Sequence, residues 1–334
     1  MRIAVRKEAG VGERRVAIVP ESIKRLAAKK IDVSVEAGAG AGAFASDDDY
    51  RGAGARVDAS VEALFADADA VLQIRPPSVD DVKRLPEGCA LVSLLYPLVD
   101  HDLVRALAAR RVTSIAVDMI PRTTVAQMMD VLSSQATAAG YEAVIVAAAA
   151  LPKFFPMLMT AAGTIAPARV LVLGAGVAGL QAIGTARRLG AVVEAFDVRK
   201  VVKEQVESLG AKFVEVETED AQTAGGYAKE LGDDAKKKQA EAIARHVAKA
   251  DVVICTALVP GRRAPVLVTA EMVRSMRAGS VVVDLAAEQQ GNCELTRPGE
   301  TAVEHGVTLI GMTDLTSRMA THASQMYSRN MEKL

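Results

Sequence analysis

Short apolar runs and amphipathic segments alternate along the first third of the chain. The apolar runs predict β-strands at residues 3–5, 32–36, 70–74, 91–94 and 113–116. Between them, the spacing of apolar positions predicts helices at residues 21–29, 61–65 and 101–110, with Pro20 near the start of the first helix. Because strands that alternate with helices are joined by right-handed crossovers, this part of the chain predicts a parallel sheet covered by helices.

The same alternation begins again in the second half of the chain. A polar, methionine-containing stretch at residues 118–135 leads into a long alanine-rich helix that runs through Ala150. After Pro167, strands are predicted at residues 169–173, 193–196, 212–216, 251–255, 280–284 and 308–310. The fold class predicted is therefore α/β, with two doubly wound parallel-sheet domains. Residues 217–234 are too long for an ordinary connection, which is typical of a functional or mobile loop.

Length and composition agree with two globular domains. A chain of 334 residues exceeds one ordinary core, and half of its residues are hydrophobic. The formal net charge of −1 gives no bulk attraction to nucleic acid, so no nucleic-acid partner is expected. The chain opens directly on a strand, which predicts no signal peptide. Its most apolar run, residues 143–151, is far shorter than the roughly 20 residues of a spanning helix, so no direct membrane insertion is expected.

The cysteines and histidines show no pattern of a metal or disulfide site. Cys89, Cys255 and Cys293 are far apart and lack CxxC spacing, and we interpret them as reduced core thiols. The four histidines are isolated in sequence and show no ligand spacing. The sequence therefore predicts no metal site.

The most specific local motif is the segment VLVLGAGVAG at residues 170–179. A GxGxxG pattern alone is weak, but this one follows an apolar strand, opens an alanine-rich helix and precedes Asp197 at the end of the next strand. Gly174 permits a tight turn, Gly176 lets backbone N–H groups approach a pyrophosphate, and Gly179 lets the helix pack closely on the strand. The alternative is a glycine-rich turn without a ligand, but the complete context favours a dinucleotide site.

Asp197 indicates which dinucleotide this site accepts. A carboxylate at this place accepts hydrogen bonds from the adenosine ribose and repels a 2′-phosphate, so NAD(H) is favoured over NADP(H). Arg199 lies two residues later and leaves the opposite preference open, because a guanidinium attracts a phosphate. The glycine-rich turn at residues 38–42 lacks the motif and an acidic partner. We interpret it as a structural turn of a second Rossmann-like domain that binds no nucleotide.

Several segments together resemble the superfamily of alanine dehydrogenases and transhydrogenase α subunits. They are residues 13–20 (ERRVAIVP), the GAGVAG segment and residues 256–261 (TALVPG). Two stretches resemble specifically the NAD-binding component of transhydrogenases, namely residues 121–135 (PRTTVAQMMDVLSSQ) and residues 223–230 (TAGGYAKE). The resemblance covers essentially the whole chain.

We expect two Rossmann-like domains separated by a cleft. The first comprises residues 1–128, and the resemblance implies that a C-terminal helix within residues 312–334 returns to it. The second comprises residues 129–311, binds NAD(H) and carries the loop at residues 217–234.

The resemblance implies roles for four polar residues of the first stretch. Carried over position by position, Arg122, Gln127, Asp130 and Ser133 would surround the nicotinamide, with Gln127 nearest to the second nucleotide. Hydride transfer between two nicotinamides needs no general acid or base, only two C4 atoms held about 3–3.5 Å apart and water kept out. From spacing alone, an N-capped helix with a polar face remains the alternative for this stretch.

The second stretch resembles a mobile loop that folds over bound NAD(H). Gly225 and Gly226 provide the hinge and Tyr227 the cover, whereas without the resemblance this is simply an exposed flexible loop. Further residues expected to touch the dinucleotide are Val177, Val198, Arg199, Gly226, Gln239, Ala257 and Leu258.

The resemblance also implies partners and a reaction. The chain would transfer hydride directly between its NADH and NADP⁺ bound on a partner. NADP(H)-binding and membrane-spanning transhydrogenase subunits would couple that transfer to proton translocation. The chain would form a homodimer and lie at the cytoplasmic face of the membrane, held there by its partner subunits.

Two other functions remain as alternatives. An alanine dehydrogenase would need acid–base groups and a pyruvate-binding arginine, and the resemblance identifies Arg15 as that arginine. The lysine and the histidine expected in such an enzyme are replaced by Arg75 and Tyr96, which are poorer proton carriers at neutral pH. The other alternative is an NAD-sensing module without hydride chemistry, in which the polar groups around Gln127 would be superfluous.

Overall fold

The computed structural model describes residues 1–216, 232–258 and 263–334. The chain folds into two compact units: unit 1, Met1–Gln135 with Thr316–Leu334, and unit 2, Ala136–Leu315. From the sequence we expected the chain to cross between domains at 128/129 and 311/312. Unit 1 includes Ser134 and Gln135 because both side chains bond to the C-terminal part of the chain: Ser134 Oγ donates to Asn330 Oδ1 at 2.8 Å and Gln135 Nε2 to the Ala323 carbonyl at 3.0 Å.

Unit 1 alternates strands and helices as its apolar pattern predicts. The elements are β1 (Arg2–Val5), α1 (Pro20–Ala28), β2 (Asp32–Glu36), α2 (Asp47–Ala53), β3 (Arg56–Asp58), α3 (Val61–Phe65), β4 (Ala70–Leu72), α4 (Val79–Val82), β5 (Ala90–Ser93), α5 (His101–Ala109) and β6 (Thr113–Ala116). The six strands form one sheet in the order β3-β2-β1-β4-β5-β6, and every pair is parallel. This is the strand order of a doubly wound sheet, whose direction of winding reverses between β1 and β4. The short strand β3 was not predicted.

The glycine-rich turn at residues 38–42 is held by close packing. A Cβ on Gly40 would lie 2.6 Å from the Tyr50 ring, and one on Gly42 would lie 2.6 Å from the Arg14 carbonyl oxygen. Tyr50 is fully buried and donates a hydrogen bond to the Ile18 carbonyl at 2.7 Å. These contacts agree with a structural role for the turn, because only glycine fits where two segments lie this close.

Unit 2 contains the long alanine-rich helix and a second α/β sheet. Its elements are α6 (Val131–Ala150), which begins in unit 1, β7 (Leu158–Thr160), β8 (Gly163–Ile165), β9 (Arg169–Leu173), α7 (Val177–Arg188), β10 (Val192–Phe196), α8 (Lys203–Ser208), β11 (Lys212–Phe213), α9 (Asp233–Val247), β12 (Val252–Cys255), α10 (Ala270–Ser275), β13 (Val281–Asp284), β14 (Thr301–Glu304) and β15 (Val307–Ile310). Seven strands form a sheet in the order β11-β10-β9-β12-β13-β15-β14. Apolar clusters cover both of its faces, as expected for a buried parallel sheet.

One edge of the second sheet departs from the predicted parallel pattern. β14 pairs with β15 in antiparallel register, from Thr301 opposite Ile310 to Glu304 opposite Val307. The two strands are joined by His305 and Gly306, both with positive φ. A two-residue connection of this kind makes a hairpin, and a hairpin can only join antiparallel strands.

The chain ends with α11 (Leu315–Arg318) and α12 (Ala320–Met331). Tyr327 of α12 is fully buried in unit 1, and its hydroxyl donates to the Gln73 carbonyl at 3.0 Å. Within the described ranges, no helix has the length and apolarity that crossing a bilayer requires. In the same ranges, no three His, Cys, Asp or Glu side chains are grouped as metal ligands. All three cysteines are buried free thiols.

Candidate functional site

The carboxyl end of β9 marks the point where the sheet of unit 2 reverses its winding. β9 pairs with β10 on one side and with β12 on the other. Leu173, the last residue of β9, lies opposite Phe196 of β10 and Cys255 of β12. In doubly wound sheets, ligands bind in the crevice outside the strand ends at such a reversal. The glycine motif begins at the next residue, Gly174.

The turn at residues 174–179 depends on two glycines for conformation and close approach. Gly174 has φ +102°, and a Cβ there would lie 2.6 Å from Thr256 Oγ1. A Cβ on Gly179 would lie 1.9 Å from the Gly174 carbonyl oxygen, so helix α7 packs directly on the turn. Gly176 differs, because the nearest atom to its Cβ position is Arg199 Nη2 at 4.0 Å. This leaves space beside Gly176 at the amino end of α7, which begins at Val177.

Asp197 follows β10 and forms a compact ion pair with Arg199. Its carboxylate accepts hydrogen bonds from Arg199 Nε at 2.9 Å, Arg199 Nη2 at 2.7 Å and the backbone N–H groups of Arg199 and Ala175. The hydrogen bond to Asp197 raises the pKa of the Arg199 guanidinium, and both side chains are largely buried. Arg199 therefore meets the site with its charge offset by Asp197, which weakens it as a phosphate ligand.

The segment after β12 forms the other side of the reversal. Thr256 Oγ1 donates to the Gly174 carbonyl at 2.9 Å, which fixes this segment against the glycine turn. Both backbone groups of Ala257 are paired with the amide of Asn292. Sequence reasoning placed Ala257 and Leu258 here but assigned nothing to Thr256 or Asn292. The only signal for Asn292 was a Gly-Asn pair in the loop after a buried strand.

The remaining residues predicted at the dinucleotide are less closely gathered. Val198 is partly buried against the core, Gln239 is half-buried on α9 and Leu258 is exposed. Gly226 and Tyr227, with the rest of residues 217–231 of the predicted loop, lie outside the described residues.

Asp130 organises the predicted nicotinamide segment in unit 1. It precedes α6, and its carboxylate accepts hydrogen bonds from the Ser133 N–H at 2.9 Å and Ser133 Oγ at 2.6 Å. Arg122 Nε lies 3.7 Å from Asp130 Oδ2. Asp130 therefore caps the helix, as the alternative interpretation of this stretch expected, and it also brings Arg122 and Ser133 together.

Gln127 lies on a short 3-10 helix, Ala126–Met129, and is exposed. The Gln127 N–H donates to the Thr123 carbonyl at 2.9 Å, which closes the turn below it. Asn330 of α12 donates to the Met128 carbonyl at 2.8 Å. The C-terminal helix thus holds the peptide next to Gln127, a contact that the sequence did not reveal because 202 residues separate its partners.

A buried charge cluster surrounds Arg15 in unit 1. Glu13 accepts hydrogen bonds from Arg15 Nε at 2.8 Å and Nη2 at 2.6 Å, and from Arg75 Nε at 3.1 Å. Burial alone would raise the pKa of Glu13, but the hydrogen bonds and charge of Arg15 outweigh it and hold the pKa at about 2. Arg15 also donates to Gln135 Oε1 at 2.8 Å. Its charge is thus offset by Glu13, and the side chain is 6% exposed.

Two further groups adjoin this cluster. Burial raises the pKa of Glu8 to about 7, although its carboxylate accepts hydrogen bonds from the Ile74 and Arg75 N–H groups. Tyr96 has φ +46° and is held by Asp118, whose carboxylate accepts a hydrogen bond from the Tyr96 N–H at 3.1 Å.

Two family models together match nearly the whole chain. Alanine dehydrogenase/PNT, N-terminal domain, matches residues 4–139, and Alanine dehydrogenase/PNT, C-terminal domain, matches residues 143–334. The first of the separately encoded pieces of NAD(P) transhydrogenase subunit alpha in Rhodospirillum rubrum is 50% identical over 339 residues, which cover 99% of this chain and 88% of that protein. Alanine dehydrogenase of Halomonas elongata is 34% identical over 301 residues, which cover 89% of this chain and 76% of that enzyme.

The fold has a similar counterpart of solved structure. A crystal structure of transhydrogenase from Sinorhizobium meliloti aligns with a TM-score of 0.89 and 44% sequence identity. The alignment covers 99% of this chain and 92% of that one.

Proposed function

The chain belongs to the alanine dehydrogenase/PNT family and, within it, to the NAD(P) transhydrogenase α subunits, and from this membership we propose that it supplies the NAD(H) half of a hydride-transfer site. NAD(H) is its cofactor. Hydride passes directly between this NADH and NADP⁺ held by a partner subunit.

The turn at Gly174 is the observation that carries the proposal. A side chain at Gly174 or Gly179 would overlap Thr256 or the turn itself, whereas the space beside Gly176 accepts a pyrophosphate at the amino end of α7. Asp197 stands next to this turn and receives the adenosine ribose, for which its carboxylate exchanges hydrogen bonds now made to Arg199. The residues present therefore fit a non-phosphorylated dinucleotide.

The segment around Gln127 serves orientation in this proposal. Bound NADH supplies the hydride, so the chain itself needs no proton donor or acceptor at the reacting carbon. Arg122, Asp130 and Ser133 are already joined by their own contacts, and Gln127 stands exposed beside them. A preorganised amide and hydroxyl orient the carboxamide of the nicotinamide and leave its reactive face to the second nucleotide.

The partners follow from the same proposal. An NADP(H)-binding subunit accepts the hydride, and membrane-spanning subunits couple the transfer to proton translocation. The chain then acts at the cytoplasmic face of the membrane through these subunits, as a homodimer.

Amino-acid oxidation is disfavoured by the charge cluster around Arg15. A substrate carboxylate needs an available guanidinium, but Arg15 is 6% exposed and holds Glu13 by two hydrogen bonds. Arg75 also contacts Glu13 and cannot act as a proton carrier at neutral pH. We therefore expect no reduction of NAD⁺ by alanine with the purified chain.

The decisive experiment is a reconstituted transfer assay. The chain is first titrated with NADH and NADPH, then mixed with an NADP(H)-binding partner subunit. Transfer is followed from NADH to a thionicotinamide analogue of NADP⁺, whose reduced form absorbs at a different wavelength. We expect NADH to bind more tightly than NADPH, and transfer to require both proteins.

Gln127→Asn tests the orienting role, because it keeps the amide but withdraws it by one methylene. We expect the transfer rate to fall on the order of ten- to a hundredfold with little change in NADH affinity. Gln205→Asn, at an exposed glutamine of α8, is the matched control and should transfer at the wild-type rate. Absence of NADH binding, tighter NADPH binding or wild-type transfer by Gln127→Asn would contradict the proposal.

A further inference from the structure

Asn292 is a fully buried amide in the loop that follows β13. Its Oδ1 accepts a hydrogen bond from the Ala257 N–H at 3.0 Å, and its Nδ2 donates to the Ala257 carbonyl at 2.9 Å and to the Pro265 carbonyl at 2.8 Å. The side chain thus pairs with both backbone groups of one residue, as a neighbouring strand would. Removing it would leave these groups without their partner, at a typical cost of about 1–3 kcal/mol for each buried one.

The loop that carries Asn292 is itself held in place from the end of β13. Asp284 Oδ2 accepts hydrogen bonds from the Cys293 N–H at 2.9 Å and from Thr296 Oγ1 at 2.8 Å. Gly291 has φ +74°, and a Cβ there would lie 2.7 Å from Asp284 Oδ2. The amide of Asn292 is therefore presented by a loop with little freedom to move.

Ala257 lies where this amide can affect the dinucleotide site. Cys255 pairs with Leu173 in the sheet, so the two residues after β12 run beside the start of the glycine turn. Thr256 holds the carbonyl of Gly174 directly, which ties the two sides of the reversal together. Asp197 stands on the β10 side of β9 and Ala257 on the β12 side. A dinucleotide that places its adenosine at Asp197 extends its other half past Ala257.

We propose that Asn292 is a positioning residue for the nicotinamide half of NAD(H), acting through the peptide of Ala257. This inference rests on the function proposed above. By fixing both backbone groups of Ala257, Asn292 holds the β12 side of the crevice in one conformation before the dinucleotide arrives. The ordering cost is then met during folding and is not subtracted from the binding free energy.

The test compares two nucleotides on one variant. Asn292→Ala should weaken NADH binding about tenfold, the equivalent of one lost buried hydrogen bond, and leave the affinity for ADP unchanged. ADP occupies only the adenosine side, where Asp197 and the glycine turn are untouched. Hydrogen exchange at the Ala257 amide should become faster in the variant, because its acceptor is gone.

Asp251→Ala is the matched control. Asp251 is also a buried polar residue of unit 2 that accepts a backbone hydrogen bond, from the Arg169 N–H at 2.8 Å, but it lies at the amino ends of β9 and β12. It should lower the melting temperature without changing NADH affinity. Asn292→Ser, which retains one hydroxyl in the same place, allows the same comparison if Asn292→Ala does not fold.

Each outcome decides between positioning and simple stabilisation. Equal loss of NADH and ADP affinity in Asn292→Ala, or an equal loss of NADH affinity in Asp251→Ala, would mean that the unit is merely destabilised and would overturn the proposal. Wild-type NADH affinity in Asn292→Ala would overturn it as well. If the wild-type chain itself fails to bind NADH, the function proposed above fails instead, and the two failures are thereby distinguished.

Discussion

Carboxylates decide the local arrangement of most side chains expected at the site. Asp197 holds Arg199 and the Ala175 N–H, and Asp130 holds Ser133 at the start of α6. Each is a residue that the sequence suggested for ligand contact, and each also has a structural task within its own turn. The two tasks are compatible because an ionised carboxylate has about four acceptor sites.

The Asp197–Arg199 pair leads to a prediction about nucleotide choice. Asp197→Asn removes the charge that repels a 2′-phosphate and leaves Arg199 without its counter-charge. NADH affinity should fall about tenfold, because hydrogen bonds to an ionised group are lost, and NADPH affinity should rise. Equilibrium titration with both nucleotides measures the change.

A second variant isolates the contribution of Arg199. In Asp197→Asn combined with Arg199→Met, the gain in NADPH affinity should disappear, while the loss in NADH affinity should remain. If Asp197→Asn alone leaves the ratio of the two affinities unchanged, the assignment of Asp197 to cofactor choice is wrong.

Among the elements, the β7–β8 hairpin is the least integrated in its own unit. It forms a separate two-stranded sheet, and within the described residues it pairs with no other strand. Met157, Met159 and Ile165 are exposed on or beside it, at 56%, 79% and 41%. A groove of about 600 Å³ lies in the same unit, lined by residues that include Phe154, Phe155 and Leu189. An isolated hairpin is marginally stable, and a knob beside a groove suits a two-fold pair.

We therefore expect a second copy of this chain to cover the hairpin. Met159→Asp places a charge on that surface and should shift the chain from dimer to its monomeric mass of 35.1 kDa in sedimentation velocity. Val303→Asp is the matched control, since Val303 is 66% exposed on the edge strand β14 of the same unit. Dimers that persist in Met159→Asp, or monomers produced equally by Val303→Asp, would exclude the hairpin as the interface.

For the molecule as a whole, the buried acids of unit 1 predict opposite contributions to stability. Glu13 has a pKa of about 2 in the folded chain against an ordinary 4.5, so its stabilisation is complete above pH 4.5 and lost as the pH falls towards 2. Glu8 has a pKa raised to about 7, so the folded state retains a proton there that the unfolded state releases. Its contribution is therefore lost as the pH rises from 4.5 through 7.

Urea unfolding of the wild type, Glu13→Gln and Glu8→Gln between pH 2.5 and 8 checks both signs. The difference between wild type and Glu13→Gln should shrink by up to about 3 kcal/mol on acidification. The difference between wild type and Glu8→Gln should instead move in favour of the variant as the pH rises. Parallel changes in the two variants would contradict the assignment.

The sequence by itself determined the α/β class, most strands and the dinucleotide turn. Apolar periodicity follows from burial, and the spacing of Gly174, Gly176 and Gly179 follows from how closely a helix, a strand and a phosphate must approach. It also identified Arg75 and Tyr96 as unsuited to amino-acid oxidation, because the ionisation of a side chain type is known before its position.

Only the tertiary structure decided which distant groups hold the site. Asn292 reaches Ala257 across 35 residues, and Asn330 reaches Met128 across 202. It also decided that Glu13 offsets Arg15 and Arg75, and that β14 runs antiparallel. Hydrogen bonds to backbone groups leave no periodic trace in a sequence, since any polar side chain that folding brings near can form them.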